Sequence, residues 1–263
     1  MASRSHNYVP TALEPYLRIQ PRGSLTLLTD TLECCGSWLA TKFARVLLGA
    51  QVDGVETGLV IVSFVRDEHH WSNELRRTTG IDSTKLVRSG RLVIVDSTSK
   101  QALTDWDVAV RQANANASDS GKRVVNVLLD NPDVLLALGL ANAASLSSFV
   151  LQMRSLAYTV IITCAADQPL LAAALAPPGH MDVPLETQCA SFVVQQAHVA
   201  RWVLSVRQLE TGAAHDVSGV LRITRGGGDY GLYEVEGEMA ELEMLFLIQR
   251  DGTARVFERG EST

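Results

Sequence analysis

The sequence is poor in the residues from which metal sites, disulfide frameworks and membrane anchors are built. Only four cysteines occur in 263 residues: Cys34, Cys35, Cys164 and Cys189. Cys34 and Cys35 are adjacent, no C-x-x-C is present, and zinc-ligand spacing is therefore missing. Cys164 ends one apolar run and Cys189 begins another, the setting of buried thiols in a reducing compartment. His180, His198 and His215 stand alone, none at the H-x-x-x-H spacing of a zinc site. No stretch reaches the roughly 18–20 apolar residues that span a bilayer. Met1 to Pro10 is polar and lacks the apolar segment of a signal peptide. These absences predict a soluble, intracellular protein with no membrane partner and no metal.

Positive charge is also in deficit. Lys and Arg number 23 against 29 Asp and Glu, for a net charge of −6. An acidic domain is a poor general binder of phosphates, since nucleic-acid affinity comes largely from Lys and Arg. Any RNA contact must be local or shared with more basic partners. Nucleophile motifs are lacking too, with no G-x-S-x-G around any serine.

Hydrophobic residues make up 46% of the chain, ordinary for a globular protein. Its length suits one large α/β domain. Continuous β-branched runs follow one another at Leu25–Thr29, Gly58–Phe64, Arg91–Val95, Arg123–Leu129 and Tyr158–Thr163. Such runs, not alternating ones, mark strands buried on both faces of a parallel sheet. Helical spacing fills the gaps at Ser37–Ala50, Asp67–Thr79 and Ser145–Ala157. The last third changes character. Ser191–Val194, Trp202–Gln208, Val217–Thr224, Leu242–Ile248 and Ala254–Phe257 read as strands between short turns, with Asp251-Gly252 as a hairpin signal. Gly226 to Gly228 reads as a flexible loop, as do the stretches ending at Ser120 and running from Pro177 to Pro184. The expectation is a polar arm over residues 1–20, with a short apolar turn around Leu13, Tyr16 and Leu17, and a single domain over 21–263. Its fold class is α/β, of the RecA-like, P-loop NTPase type. That is a three-layer core with a mostly parallel central sheet and a C-terminal antiparallel β extension over 191–263.

A core of this type carries G-x-x-x-x-G-K-[ST] after its first strand, with glycines that let amides wrap phosphates and a Lys that neutralises them. Here that place holds Asp30-Thr31-Leu32-Glu33-Cys34-Cys35-Gly36-Ser37-Trp38. Gly36 aligns with the second glycine, but Thr31 replaces the first, Ser37 the Lys and Trp38 the hydroxyl residue. Glu33 adds a carboxylate. A like charge at ~4 Å and an effective dielectric near 20 costs on the order of 4 kcal/mol. The sequence thus predicts a degenerate nucleotide loop and no enzymatic activity of the chain alone. Asp130 ends an apolar strand where an ATPase would hold its metal, but Asp130-Asn131-Pro132 also reads as a plain turn.

Several segments together resemble the sixth subunit of Elongator. They are Arg22–Asp30 followed by Gly36-Ser37, Asp130–Gly139, Thr211–Ile223 and the closing Phe257–Gly260. The likeness runs in order from Gly23 to Gly260, and its order and spacing carry it. The length suits a fungal member. The resemblance implies a RecA-like subunit without a working phosphate loop, in a hetero-hexameric ring with two copies each of subunits 4, 5 and 6. It also implies docking on a catalytic subcomplex of subunits 1, 2 and 3 that modifies the wobble uridine (U34) of tRNA, tRNA contact through the ring, no cofactor of this chain's own, and a cytoplasmic and nuclear location. The assembled ring is expected to respond to ATP. The alternative is a RecA-family ATPase whose atypical nucleotide site is completed at a subunit interface.

Other clusters read plainly. His69 and His70 are adjacent on a helix and point about 100° apart, so they cannot share one ion; Asp67 reads as the helix cap. The basic residues from Arg76 to Arg91 alternate with acids, as on a solvated face. Arg201, Arg222 and Arg225 are candidate interface residues, with surface ion pairs as the simpler reading. Trp38, Trp71 and Trp202 are candidates either for an apolar interface or for the core. The segment Asp167–Glu186 contains no Lys or Arg and should contribute little to phosphate binding.

Overall fold

Period-two alternation within doubly buried strands divides the core into two layers. In the computed structural model, which describes residues 11–106, 124–172, 183–212, 216–228, 240–250 and 252–258 with 108, 112, 115, 116 and 214 as isolated positions, Leu59 and Ile61 enter one layer. Val60 and Val62 enter the other.

The elements run α1 (Glu14–Leu17), β1 (Ser24–Asp30), α2 (Ser37–Gly49), β2 (Gln51–Val52), β3 (Val55–Ser63), α3 (Glu68–Thr79), α4 (Ser83–Arg88), β4 (Leu92–Asp96) and α5 (Lys100–Thr104). Then follow β5 (Val124–Asp130), α6 (Val134–Ala137), α7 (Ala143–Leu156), β6 (Thr159–Ala165), α8 (Gln168–Ala172), α9 (Pro184–Val199), β7 (Trp202–Arg207), β8 (Gly219–Arg225), β9 (Leu242–Ile248) and β10 (Ala254–Phe257). The sheet order is β4-β3-β5-β6-β1-β7-β8-β9-β10, with the short β2 also on β3. Pairing is parallel from β4 to β7 and antiparallel from β7 onward.

One layer packs Leu39, Phe43 and Leu47 of α2 with Trp71 and Leu75 of α3. The other packs Leu146, Phe149 and Met153 of α7 with Phe192 and Val193 of α9. The helix after β1 therefore lies on one face and the long helix after β6 on the other. Adjacent strands whose chains depart to opposite faces open a crevice at their C-terminal ends. β1 and β6 make such a pair, and the degenerate loop sits at its mouth.

Four expectations need correction. Ser191–Val194 is part of α9, not a strand. Its β-branched look is outweighed by Pro184 in the first turn, where proline suits a helix, and by burial of Cys189, Phe192, Val193 and Gln196 at helical spacing. Because β7 is parallel to β1, the antiparallel part begins at Gly219, not at 191. Residues 13–17 are no arm, since Leu13, Tyr16 and Leu17 are buried and the Tyr16 ring meets Trp202 edge-on at 5.1 Å. Of the two readings open for Trp38, Trp71 and Trp202, the structure places all three in the core, which needs no correction.

The triple glycine is the fourth. The amides of Gly226, Gly227 and Gly228 donate to the carbonyls of Arg201, Ala197 and Ala200, at 3.0, 3.1 and 2.9 Å. They satisfy backbone acceptors around the end of α9, where helical partners run out. A Cβ on any of the three would collide with a backbone oxygen between Ala197 and Ala200. The segment is a close-packed clasp. Ser120 and the stretch from 173 to 182, which includes His180, lie outside the described residues, as do His215 and Asp251. Gly252, with φ +82°, follows Asp251 in the β9–β10 connection. Gly226→Ala should destabilise the protein by about 2 kcal/mol, the scale of overpacking against rigid neighbours, read as a lower urea midpoint with unchanged m-value. An unchanged midpoint would show that the clasp yields.

Candidate functional site

The site is the crevice at the C-terminal ends of β1, β3, β5 and β6. Each strand delivers a polar residue at or near its C-terminal end. These are Asp30, Ser63, Asp130 and Thr163.

Asp130 is fully buried. Its carboxylate pairs with the Arg66 guanidinium and accepts from the Ser63 hydroxyl at 2.7 Å. It also accepts from the Trp71 indole N–H at 3.2 Å and from Thr163 Oγ1 at 3.2 Å. Arg66 further donates to Asn131 Oδ1 at 3.2 Å and reaches Cys35 Sγ at 3.8 Å. A carboxylate with this many partners is fixed as an internal anchor. The position where an ATPase holds a metal-bound water is filled by a guanidinium.

The loop from Thr31 to Gly36 closes on itself. Thr31 and Cys34 exchange backbone hydrogen bonds of 3.4 and 3.0 Å. The Gly36 amide donates to Asp30 Oδ2 at 2.8 Å, and the Leu32 amide donates to Asp167 Oδ1 at 3.0 Å. Amides that would cradle an anion at a strand-to-helix turn are thus occupied by carboxylates of the same chain. Burial pushes the Asp30 carboxyl up, while the Gly36 amide and the Arg66 charge oppose the rise. Gly36 has an ordinary φ of −90°. What its position requires is space, since a Cβ would lie 3.2 Å from Asp30 Cβ. Behind the loop remains a cavity of about 10 Å³, lined by Thr29, Asp30, Gly36, Ser37, Arg66 and Thr163 among others, room for about one water. The residues do not fit a nucleotide triphosphate.

Glu33 acts differently from the expectation. Its side chain is exposed and does not line that cavity. The intruding carboxylate is that of Asp30. Glu33 instead accepts Gln208 Nε2 on its backbone carbonyl at 3.1 Å and lines a second, open cleft with Trp38. Thr31 and Ser37 are at the loop's two ends, and Trp38 turns into the core, its ring 5.1 Å from Phe246. Arg201, Arg222 and Arg225 line neither space. Arg225 lies over the Trp202 ring at 5.9 Å, Arg222 is exposed on β8 opposite Glu243, and Arg201 opens the turn before β7. Asp67 caps α3 by accepting the His70 amide at 2.7 Å, and no group of three or more His, Cys, Asp or Glu among the described residues could hold a metal. No helix among them is long and apolar enough to cross a membrane.

Sequence reading missed Arg66, Asp30, Asp167, Ser63 and Asp133. The available signal was topological: residues just past each strand's C-terminal end converge at the crevice, whatever motif they lack. Asp133 is only 9% exposed. It accepts the Ala165 amide on Oδ2 at 3.0 Å, while Oδ1 has no partner. Burial raises its pKa to about 6, against the lowering effect of that amide. The folded protein therefore holds a proton that the unfolded chain releases near pH 4. Stability from this group is full below about pH 4 and gone above about pH 6, a loss of about 3 kcal/mol. Asp133→Asn should remove that fall and raise stability at pH 7, measured by urea unfolding between pH 4 and 7. A pH profile unaltered by the substitution would refute the assignment.

Comparison with known proteins supports the fold. No protein-family model matches the sequence, and no curated protein does. Among 518 matching solved chains, a KaiC-like protein from the hyperthermophilic archaeon Pyrococcus horikoshii OT3 is similar over 90% of each chain, with 17% identity and a TM-score of 0.52. So many matches define an architecture that hosts many functions. The chain has a RecA-like α/β fold, with a mostly parallel central sheet and antiparallel strands at its C-terminal end.

Proposed function

We propose that the chain is a non-catalytic subunit of the Elongator accessory ring, its sixth subunit. In this reading it joins subunits 4 and 5 in a hetero-hexamer and docks on the catalytic subcomplex of subunits 1, 2 and 3. The ring then supports tRNA binding and release during wobble-uridine modification, in the cytoplasm and the nucleus. The ordered resemblance from Gly23 to Gly260 favours this identity.

The observation that carries the non-catalytic part is the filled phosphate loop. Two of its amides are bound to Asp30 and Asp167, and Asp130 is bound to Arg66. Opening the site for a triphosphate would require breaking these contacts and bringing four negative charges towards Asp30. No ammonium group compensates, because Ser37 stands where the Lys would be. The net charge of −6 agrees with a subunit that leaves phosphate contacts to more basic neighbours.

Calorimetric titration of the isolated chain with Mg·ATP should give no saturable heat up to about 1 mM, an affinity below about 4 kcal/mol. Mixing with subunits 4 and 5 should give a discrete hexamer by light scattering. ATP turnover by the lone chain that is lost on Asp130→Ala would overturn the non-catalytic reading. Persistent monomers in the mixture would overturn the ring assignment.

A further inference from the structure

A groove of about 690 Å³ opens at the far end of α2 from the closed loop, where the C-terminal ends of α2 and α3 meet α4. Its walls include the core residue Leu48, with Val46, Ile81 and Leu86 half-buried against the same cluster. Three charged side chains line it: Arg45, Asp82 and Lys85. Asp82 and Lys85 are both exposed and lie 3.7 Å apart, so those two charges offset one another. Asp53 and Glu56, on the hairpin after α2, do not line the groove, and Glu56 is paired with Arg91 at 3.5 Å.

Arg45 is left without a counter-ion. It is half-buried and donates one hydrogen bond, to the Thr79 carbonyl. Arg66, Arg91, Arg154 and Arg207 are also half-buried, and each makes at least two. Burial pushes the Arg45 pKa down, and no acid opposes that effect. A guanidinium is a rigid fork of donors matched to a carboxylate, and most of this fork has no partner. The carbonyls that end α2 and α3 would repel an anion. Those of Leu47, Leu48 and Thr79 are already engaged, by Thr57, Arg91 and Arg45.

The wider face has the same sign. Arg76 and Arg88, in the last turns of α3 and α4, are exposed and pair with no acid among the described residues. Glu74 is taken by Arg77 at 2.8 Å. On a chain with a net charge of −6 this is a local reversal, which steers an acidic partner here. The groove is also open, since Gly49, Gly80, Asp82 and Lys85 along it are exposed. A free solute would keep much of its surface in water there, whereas small-molecule sites bury most of their ligand. A segment held by further contacts outside the groove suits it better.

We infer that this groove receives a polypeptide segment of a partner protein in which an Asp or Glu stands between apolar residues. The carboxylate takes the open side of the Arg45 fork, the apolar side chains lie on Val46, Ile81 and Leu86, and Arg76 and Arg88 favour further acids on the same segment. The inference does not rest on the Elongator reading, and the surface lies away from the closed nucleotide loop.

The test uses the full chain, labelled with ¹⁵N, and the probe acetyl-Leu-Glu-Leu-amide. Arg45→Lys identifies the Arg45 Nε–H signal by its loss. Titration of the unsubstituted chain should shift that signal saturably at millimolar peptide. Saturation transfer to the leucine methyls of the peptide is a second readout, and by it Arg45→Gln should raise Kd about fivefold or more. The urea midpoint of that variant checks its fold. Two further peptides need no variant: the Leu-Gln-Leu and Ser-Glu-Ser counterparts should each bind about fivefold more weakly or less. No shift of the Arg45 signal, or equal binding of either counterpart, would overturn the site. An equal shift with octanoate would replace the segment by a free amphipathic acid, and an equal shift with pentauridylate would make the face an RNA contact. Either result overturns the polypeptide. Because no other subunit is present, none of these outcomes bears on ring assembly.

Discussion

One buried carboxylate organises the C-terminal end of the sheet. Asp130 ends β5 and is reached from β3 by Ser63, from β6 by Thr163, from α3 by Trp71 and from the β3–α3 turn by Arg66. Removing one partner of such a buried pair leaves an uncompensated charge, at a cost of about 3–5 kcal/mol. The pair therefore dictates where α3 starts and how closely its first turns approach the sheet. It also holds Arg66 over the crevice, where the guanidinium lines the residual cavity and lies within 3.8 Å of Cys35 in the loop. Closure of the loop and locking of Asp130 are one arrangement, joined through Arg66.

The loop keeps the logic of an anion site while supplying the anion itself. A turn that leads into a helix N-terminus exposes amides in need of an acceptor. In this chain Asp30 comes from the strand before the turn, and Asp167 from the connection after β6. Both are tethered, so the acceptors arrive without the entropy loss of binding a free ligand. Burial pushes the Asp30 carboxyl up, and Asp133 behind it is raised further, to about 6. Burial disfavours charge at Asp30, and the Gly36 amide and Arg66 only oppose that effect. A region of this kind has no spare attraction for further negative charge.

Much of the architecture was legible because the parallel strands are buried on both faces. Runs such as Leu59–Val62 and Val127–Leu129 are uninterrupted for that reason, and their order along the chain implied crossovers. Three substituted positions, Thr31, Ser37 and Trp38, set the loop apart from G-x-x-x-x-G-K-[ST] in the sequence itself. Two kinds of feature were not legible. Ser191–Val194 is apolar at every residue but Ser191, so neither helical nor strand periodicity could be read from four positions; the seven residues before it and five after it settle α9. Arg66, Asp167 and the Gly226–Gly228 clasp act through partners 25 or more residues distant, and sequence spacing carries no record of those distances. Glu33 was assigned its role by proximity in sequence to the loop. The carboxylate that enters the loop is three residues earlier, because the turn folds Glu33 outward as Thr31 and Cys34 pair.

That outward turn gives the two sides of the loop different surroundings. On the inner side amides meet carboxylates, and the cavity behind them has room for about one water. On the outer side Glu33 is exposed at the mouth of the open cleft. In a phosphate-binding loop the amides attract a polyanion into the crevice. Here the Gly36 and Leu32 amides are held by Asp30 and Asp167, so a triphosphate would have to displace two tethered carboxylates to reach them.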